Sequence, residues 1–471
     1  MSGRAIVVGS GPNGLAAALR LAEQGMRVTV HEAAPTIGGG MRTSELTLPG
    51  VLHDDCSAFH PLGVGSPAFR SFRLEEHGLE WLWPEVGLAH PLDGGGAAVL
   101  YRSVDETADA LGPDGRAWRR LFAPVVRSID HLLDDVLAPL LHVPRHPITL
   151  AAYGTRALLP ATVIASRWRQ PEARALFAGS AAHLIGPLTA PLSGAIGIIL
   201  IAAAHAYGWP VAKGGSQAIA DAMAAKLVSL GGEILTNSPV ESVRALGTAD
   251  VVMLDVAPRH AARLLGDRVP PRTQRAYDRF RHGPAAHKVD FAIRGHIPWV
   301  NDACRRAGTV HLSGTLEEIV AVERQMADGT MPERPFCLIG QQYLADPSRS
   351  AGDINPIWAY AHVPHAYPGD ATEAIIRQIE RYAPGFRSQI VATHVRTPAD
   401  LEAHNPNYVG GDISAGANTP VQILMRPRWG VRPYDTGAPG VFLCSSSTPP
   451  GAGVHGMCGL HAAERALALR P

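Results

Sequence analysis

The residues best suited to chemistry stand near the start of the 471-residue chain: Gly9-Ser10-Gly11-Pro12-Asn13-Gly14, a full G-x-G-x-x-G, followed by an acid at Glu32. Each part has a physical role in holding a dinucleotide. Gly9 permits a tight turn. Gly11 lets backbone approach a pyrophosphate that a Cβ would block, and Gly14 lets the next helix sit close to its strand. The helix N-terminus offers free N–H groups and a partial positive charge to the phosphates. Glu32, about 20 residues past the glycines, can accept hydrogen bonds from ribose hydroxyls and disfavours a 2′-phosphate.

The flanking pattern supplies the elements that must position these groups. Ile6-Val7-Val8 is a β-branched run before the glycines. Leu15, Ala18, Leu19 and Ala22 recur at helical spacing after them, and Gly25 closes that helix. Val28 and Val30 alternate with polar residues toward Glu32 as a second strand. A second glycine cluster, Gly38-Gly39-Gly40, follows with Arg42 just beyond. NAD has no need of close backbone approach there. FAD does, because its pyrophosphate and ribityl chain run on past the first loop, and backbone N–H groups in such a loop form an anion-binding concavity.

The Glu-x5-Gly-Gly spacing from Glu32 to Gly38-Gly39 resembles the second FAD motif of the flavin amine oxidase and phytoene desaturase superfamily. Within it, the chain is most similar to bacterial phytoene-dehydrogenase-like NAD(P)/FAD-dependent oxidoreductases. The likeness continues through Glu45–Gly50, His53-Asp54 and Ser57–Leu62, the Tyr207–Ser216 segment, and Gly440–Met457. The resemblance implies non-covalent FAD. It implies that the backbone of Val240 touches the adenine, and that the turn and helix start at Gly453, Val454 and Met457 face the flavin end. It also brings His60 and His455 near the flavin as candidate catalytic groups. Two departures stand out: Gly40 replaces the arginine that often follows the glycine pair, and Ser445-Ser446-Ser447 occupies a stretch where an acid is common. Gly451, Gly453 and Gly456 mimic a second G-x-G-x-x-G, but about 15 residues follow, too few for the returning strand of a βαβ unit.

The expected fold is α/β: a discontinuous Rossmann-like FAD domain of the glutathione-reductase type, and an α+β substrate domain with a helical cap. The FAD domain takes residues 1–60, 207–286 and 405–471; the substrate domain takes 61–206 and 287–404. Leu132-Leu133, Val136-Leu137 and Leu140-Leu141 repeat at helical spacing, as does Ala173–His183. Val289, Phe291 and Ile293 alternate as a strand, with further strands at 310–312, 336–339 and 357–361. Thr315 is suited to cap a helix. A short hairpin is expected between Val240 and Val251, turning at Leu246-Gly247-Thr248.

Composition excludes several classes. Lys plus Arg and Asp plus Glu are equal at 42 each, so no bulk charge favours nucleic acid. The five cysteines are scattered, never C-x-x-C, against a zinc site or redox dithiol. No metal site is expected. The start of the chain reads directly into a strand without a signal-peptide pattern, so a cytoplasmic location is expected. Leu184–Ala204 lacks charge, but Gly186, Pro187, Pro191, Gly194 and Gly197 interrupt it. A buried helix or pocket wall fits better than a membrane span, with peripheral membrane contact as the alternative.

No Ser/His/Asp set or carboxylate pair stands out, so a flavin would carry the redox step itself. His183, Trp209 and Trp358 read as core or pocket wall. The leading expectation is dehydrogenation or desaturation of an apolar, polyene or lipid-like molecule, with oxygen or a quinone as electron acceptor. The alternatives are a flavin amine oxidase, a redox-neutral flavin isomerase, and a non-catalytic flavoprotein acting as a binding or assembly subunit. The oligomeric state is left open.

Overall fold

A computed structural model describes residues 3–139 and 141–469. Leu140, part of the leucine repeat, lies outside the described residues. Two sheets organise the chain. The first has five strands, all parallel, in the order Val441–Leu443, Val251–Leu254, Arg4–Val8, Arg27–His31, Glu233–Leu235. A parallel sheet needs cover on both faces, and its strands are accordingly apolar: Ala5, Ile6, Val7, Leu254 and Leu443 are inaccessible to solvent. Helix Pro12–Glu23 leaves the first strand and packs between the sheet and the last helix, Met457–Leu467.

The second sheet has seven strands in the order Ile390–Arg396, Ala285–Arg294, Ile354–Val363, Cys337–Gly340, Ala307–Leu312, Val86–Pro91, Ala97–Leu100. Its pairs are antiparallel except Ala307–Leu312 with Val86–Pro91. Strand alternation sorts its side chains. Val289, Phe291, Ile293, Ile357 and Ala359 share a core with Ile375, Ile379 and Phe386 beyond one face. Thr309, Leu338, Trp358 and Tyr360 point the other way, toward the parallel sheet, and line the main cavity.

The helices between Val104 and Tyr207 form the cap. Helix Ser193–Tyr207 is apolar almost all round, and Ile198, Ile201, Ala202 and Ala203 are fully buried, while Leu200 lines the cavity. The uncharged run is therefore core and pocket wall, and among the described residues no helix is long and apolar enough to cross a membrane. Thr315 caps helix Leu316–Ala327 through a full capping box with Glu318.

Two expectations differ from the structure. The segment between Val240 and Val251 is not a hairpin but a single 3-10 turn, Val243–Leu246, because Val251–Leu254 pairs with the first strand instead. Ala285 and Ala286, expected in the nucleotide unit, already pair with Val363 and His362 in the mixed sheet. Of the short helices over Pro61–His77, Pro61–Val64 packs on the cap helix Ser193–Tyr207, Pro67–Phe72 on Met457–Leu467 and Leu74–His77 on Gln217–Ser229.

Candidate functional site

The glycine loop folds as its spacing requires. Gly9 has φ +100° and donates its N–H to His31 O at 2.8 Å, tying the turn to the second strand. A Cβ at Gly14 would collide with Gly9 O, so only glycine lets the helix start this close. Pro12 sits in the first turn, where its missing N–H costs nothing, and no side chain of the residue before it caps the helix. One free N–H, that of Gly14, is taken by the chain itself: it donates to Asp255 Oδ2 at 2.9 Å. Asp255 follows strand Val251–Leu254. Burial pushes its carboxyl up to about 7; the Gly14 N–H opposes this, and the charge of Glu32 adds to it.

Glu32 is held in place by four donors: Ser10 N at 3.0 Å, Ser10 Oγ at 2.5 Å, Ala34 N at 2.9 Å and Arg42 Nη2 at 3.2 Å. Arg42 also donates to Thr36 O, so it braces the second glycine loop while neutralising the acid. A Cβ at Gly40 would run into the hydroxyl of Tyr408, which fills the space left by the missing side chain. Ser446 Oγ accepts from Asn13 Nδ2 at 3.0 Å. Asn13 Oδ1 and Ser445 Oγ are buried with no partner, though both residues line the cavity. Such orphans are costly unless something polar meets them.

The cavity is continuous and holds about 700 Å³, within the range of small-molecule sites. At one end lie Gly9, Gly11, Pro12, Asn13, Glu32, Gly39, Gly40, Arg42 and Val240; Gly453 and Val454 line it too. The same end includes Asp255 and the Asn405–Tyr408 loop. At the other end lie Phe59, His183, Ile185, Trp209, Thr309, Leu338, Trp358 and Tyr360. Trp209 Nε1 donates to Thr309 Oγ1 at 2.9 Å, and Trp358 Nε1 to Cys56 O at 3.0 Å, so both indoles are fixed. The residues fit FAD: an elongated, glycine-lined groove begins at a helix N-terminus, passes an acid suited to ribose, and carries unpartnered polar atoms along its wall.

The remaining sequence candidates lie behind the wall. Gly14, Gly38 and Met457 shape the loops; Gly38 N donates to Ser10 O at 3.1 Å. His60 and His455 are buried and line no part of the cavity. His60 Nε2 pairs with Ser216 Oγ at 2.8 Å, and its ring packs on Trp81. His455 Nδ1 accepts from Met457 N at 3.1 Å, and its carbonyl accepts from Ser66 Oγ at 2.6 Å. Burial lowers each imidazole to about 4. His455 braces backbone and His60 a serine side chain, and neither lines the cavity. Sequence reasoning missed Asp255, whose signal was an acid ending the apolar run Val251–Leu254, and Thr309, Leu338 and Tyr360, which a face assignment for each strand would have found.

Residues 7–73 match the family model of an NAD(P)-binding Rossmann-like domain. Among curated proteins, the chain is 23% identical to pyridine nucleotide-disulfide oxidoreductase domain-containing protein 2 of Rattus norvegicus, over 98% of this chain and 92% of the rat protein. Solved structures with the same fold include an oxidoreductase from Methanosarcina mazei (TM-score 0.65, 16% identity, 98% of this chain and 100% of that one). Putrescine oxidase bound to putrescine superposes with TM-score 0.62 at 17% identity, over 99% of each chain. Cyclohexylamine oxidase from Brevibacterium oxydans gives 0.57 at 17% identity, over 99% of this chain and 98% of its own. The chain thus shares its fold with these oxidases, and the Rossmann-like match covers the glycines Gly9, Gly11 and Gly14.

Proposed function

We propose that the protein is an FAD-dependent oxidoreductase that dehydrogenates or desaturates an apolar, polyene or lipid-like, small molecule. One observation carries this reading: a single cavity joins the glycine loop and Glu32 to an apolar, aromatic chamber. In it, Gly9, Gly11, Glu32, Arg42, Val240 and the Ser445–Ser447 turn hold the cofactor without a covalent bond. Cys458, in the first turn of the last helix, directs its thiol to Thr448 O and Gly451 O instead. A bound flavin supplies the two-electron chemistry that no side-chain set here offers. Trp209, Trp358, Tyr360, Leu338 and Ile185 exclude water and hold the substrate by its apolar surface. Reoxidation by oxygen or a quinone completes the cycle.

A flavin amine oxidase is the second reading. Trp358 and Tyr360 meet edge to face with ring centroids 5.0 Å apart, a pair able to flank an amine, and putrescine oxidase and cyclohexylamine oxidase share the fold. Against it, the carboxylates lining the cavity are Glu32 and Asp255, both at the nucleotide end, so the chamber offers an ammonium no counter-charge. The test is the visible spectrum of the purified protein before and after denaturation, then anaerobic titration with polyene, lipid and amine compounds. Flavin bands released as free FAD and bleached by an apolar compound support the first reading. Bleaching by amines alone moves the second ahead. A protein colourless even with added FAD overturns both.

A further inference from the structure

We infer that two segments, residues 141–169 of the cap and residues 419–432, form one surface that docks on an anionic lipid bilayer. This surface stands apart from the flavin chemistry proposed above. Among the described residues, the four most exposed large apolar side chains are Val143 at 90%, Ile148 at 85%, Val431 at 73% and Trp429 at 72%, and all four belong to these segments. Leu141, Leu158 and Val163 in the first segment and Val421 in the second are exposed as well. Single exposed apolar residues are ordinary on a protein surface, but eight gathered in two segments mark an interaction site. Helix Pro147–Ala157 shows how the exposure arises. It turns Tyr153 and Ala157 inward, and the Tyr153 hydroxyl donates to Ala195 O at 3.1 Å on the cap helix behind it. Its exposed positions are Pro147, Ile148, Ala151, Ala152 and Thr155, with no charge among them, whereas a helix face turned to water is ordinarily charged. The short helix Pro420–Leu424 buries none of its residues, although Val421, Ile423 and Leu424 are apolar.

The charge on the two segments has one sign. Acids and bases balance over the whole chain, yet no carboxylate occurs in residues 136–171 or 413–434. Arg156, Arg167 and Arg428 donate only to backbone carbonyls, and the guanidinium groups of Arg145, Arg169 and Arg432 have no partner among the described residues. The acids at the borders are directed elsewhere: Asp135 and Asp412 accept backbone N–H groups, and Asp435 pairs with Arg465. Exposed aliphatic and indole groups among unpaired arginines suit the boundary of an anionic bilayer, where the apolar groups enter the acyl region and the arginines meet headgroup phosphates. Trp429 is the side chain type that favours that boundary. A second copy of the chain fits less well, because a symmetric contact would set these arginines against each other with no acid between.

Hydrogen bonds tie the two segments together. The loop over residues 184–192 joins both: Leu192 N donates to Leu158 O at 3.2 Å, and Asn418 Nδ2 donates to Leu184 O at 2.8 Å. Beyond them, His461 Nε2 lies 2.8 Å from Leu137 O, just before the first segment, and its ring stacks on Tyr434, just after the second. The joining loop carries Ile185, and Ile413 and Ala415 lead into the second segment; all three line the cavity. The docked face therefore borders the wall of the cavity. Among the described residues no helix is long and apolar enough to cross a membrane, so the contact is with one leaflet.

The test is co-sedimentation of the full chain with vesicles of phosphatidylcholine alone and of an equal mixture with phosphatidylglycerol. The mixed vesicles should bind at least about tenfold more tightly, and salt at about 1 M, where screening acts beyond about 3 Å, should remove most of that preference. Binding to neither vesicle, or equal binding to both, overturns the inference. Ile148→Asp combined with Trp429→Asp should lower affinity by at least about tenfold, and Arg145→Gln combined with Arg432→Gln by about fivefold per arginine. All four side chains are exposed, so both double variants should melt as the wild type does. Val228→Asp changes an exposed apolar residue on helix Gln217–Ser229, which packs on Pro12–Glu23 in the nucleotide unit, and should leave binding unchanged. A loss there equal to that of the Ile148 and Trp429 variant overturns the assignment of this face. Sedimentation velocity without lipid should find no self-association that the Ile148 and Trp429 changes abolish; if it does, the face belongs to a second copy of the chain and the inference fails. None of these readouts involves flavin, so failure of the oxidoreductase reading and failure of the docking surface are told apart.

Discussion

The two ends of the cavity are built in opposite ways. The nucleotide end is built around backbone: two glycine loops and a helix N-terminus lie within about one βαβ unit of each other, and Val240, Asp255 and the Asn405–Tyr408 loop close around them. The substrate end is made of side chains, contributed by the cap at His183, by Trp209 just after it, and by alternate positions of three strands, at Thr309, Leu338, Trp358 and Tyr360. Backbone recognition leaves little room for variation, because any added atom blocks the ligand. Side-chain recognition is open to change one residue at a time. The fold is shared with proteins of 16–17% identity, as expected if the first end is held fixed and the second is free to differ.

That contrast can be broken most sharply at Gly11. In Gly11→Val the new side chain would meet Asp255 Oδ2, 2.7 Å from its Cβ, and fill the approach to the pyrophosphate. Flavin retention should be lost altogether while circular dichroism reports a folded chain; full flavin in this variant would overturn the reading of the whole nucleotide end.

Asp255 gives the next largest effect. Its carboxyl is raised from an ordinary value of 3.8 to about 7, so the folded protein holds a proton there that the unfolded chain has already lost. Stability from this group is therefore present below about pH 4, falls as pH rises from there to about 7, and is level above. A diphosphate beside it also prefers the protonated acid, so FAD affinity should fall by up to about tenfold per pH unit above 7. Asp255→Asn should flatten both profiles relative to wild type, read by thermal melts of the apoprotein and by flavin titration. Parallel profiles in the two proteins would show that another group titrates.

At the substrate end, Thr309→Val removes the acceptor of Trp209 Nε1. It should cost about 1 kcal/mol of stability and alter reduction by substrate, while bound flavin per chain stays at the wild-type level. Loss of flavin here would mean that the two ends are not separable. Smallest of all should be His60→Gln. An amide can still reach Ser216, so a change of about 1 kcal/mol or less in a denaturant titration, with the pH profile of reduction unmoved, would confirm a bracing role.

What the sequence made legible follows the same divide. Gly9, Gly11, Gly14 and Glu32 were readable because their meaning lies in local spacing, and the parallel strands beside them because β-branched runs bounded by glycine have few other readings. The substrate chamber was legible only at His183, Trp209 and Trp358, since strand alternation at Val289, Phe291 and Ile293 reveals two faces but not which one meets the cavity. That choice depends on how sheets at positions 285–363 and 4–31 stack, which no local pattern encodes. His60 and His455 were singled out because their segments run near the site, yet both rings turn away to satisfy Ser216 Oγ and the Met457 N–H. The supposed hairpin after Val240 failed for a related reason: a turn signal at Leu246-Gly247-Thr248 does not say whether the next strand pairs with its predecessor or with a strand 246 residues earlier.

That last pairing also governs the order of assembly. The parallel sheet draws on segments near residues 4–31, 233–254 and 441–443, and its edge strand leads into the helix packed on Pro12–Glu23. During synthesis the glycine loop emerges well before the strand and helix that close around it, which follow the whole mixed sheet. Non-local closure of this kind is slow, and the early segment waits with its apolar face uncovered. A chain stopped short of the strand Val441–Leu443 would present a nucleotide loop without one of its walls.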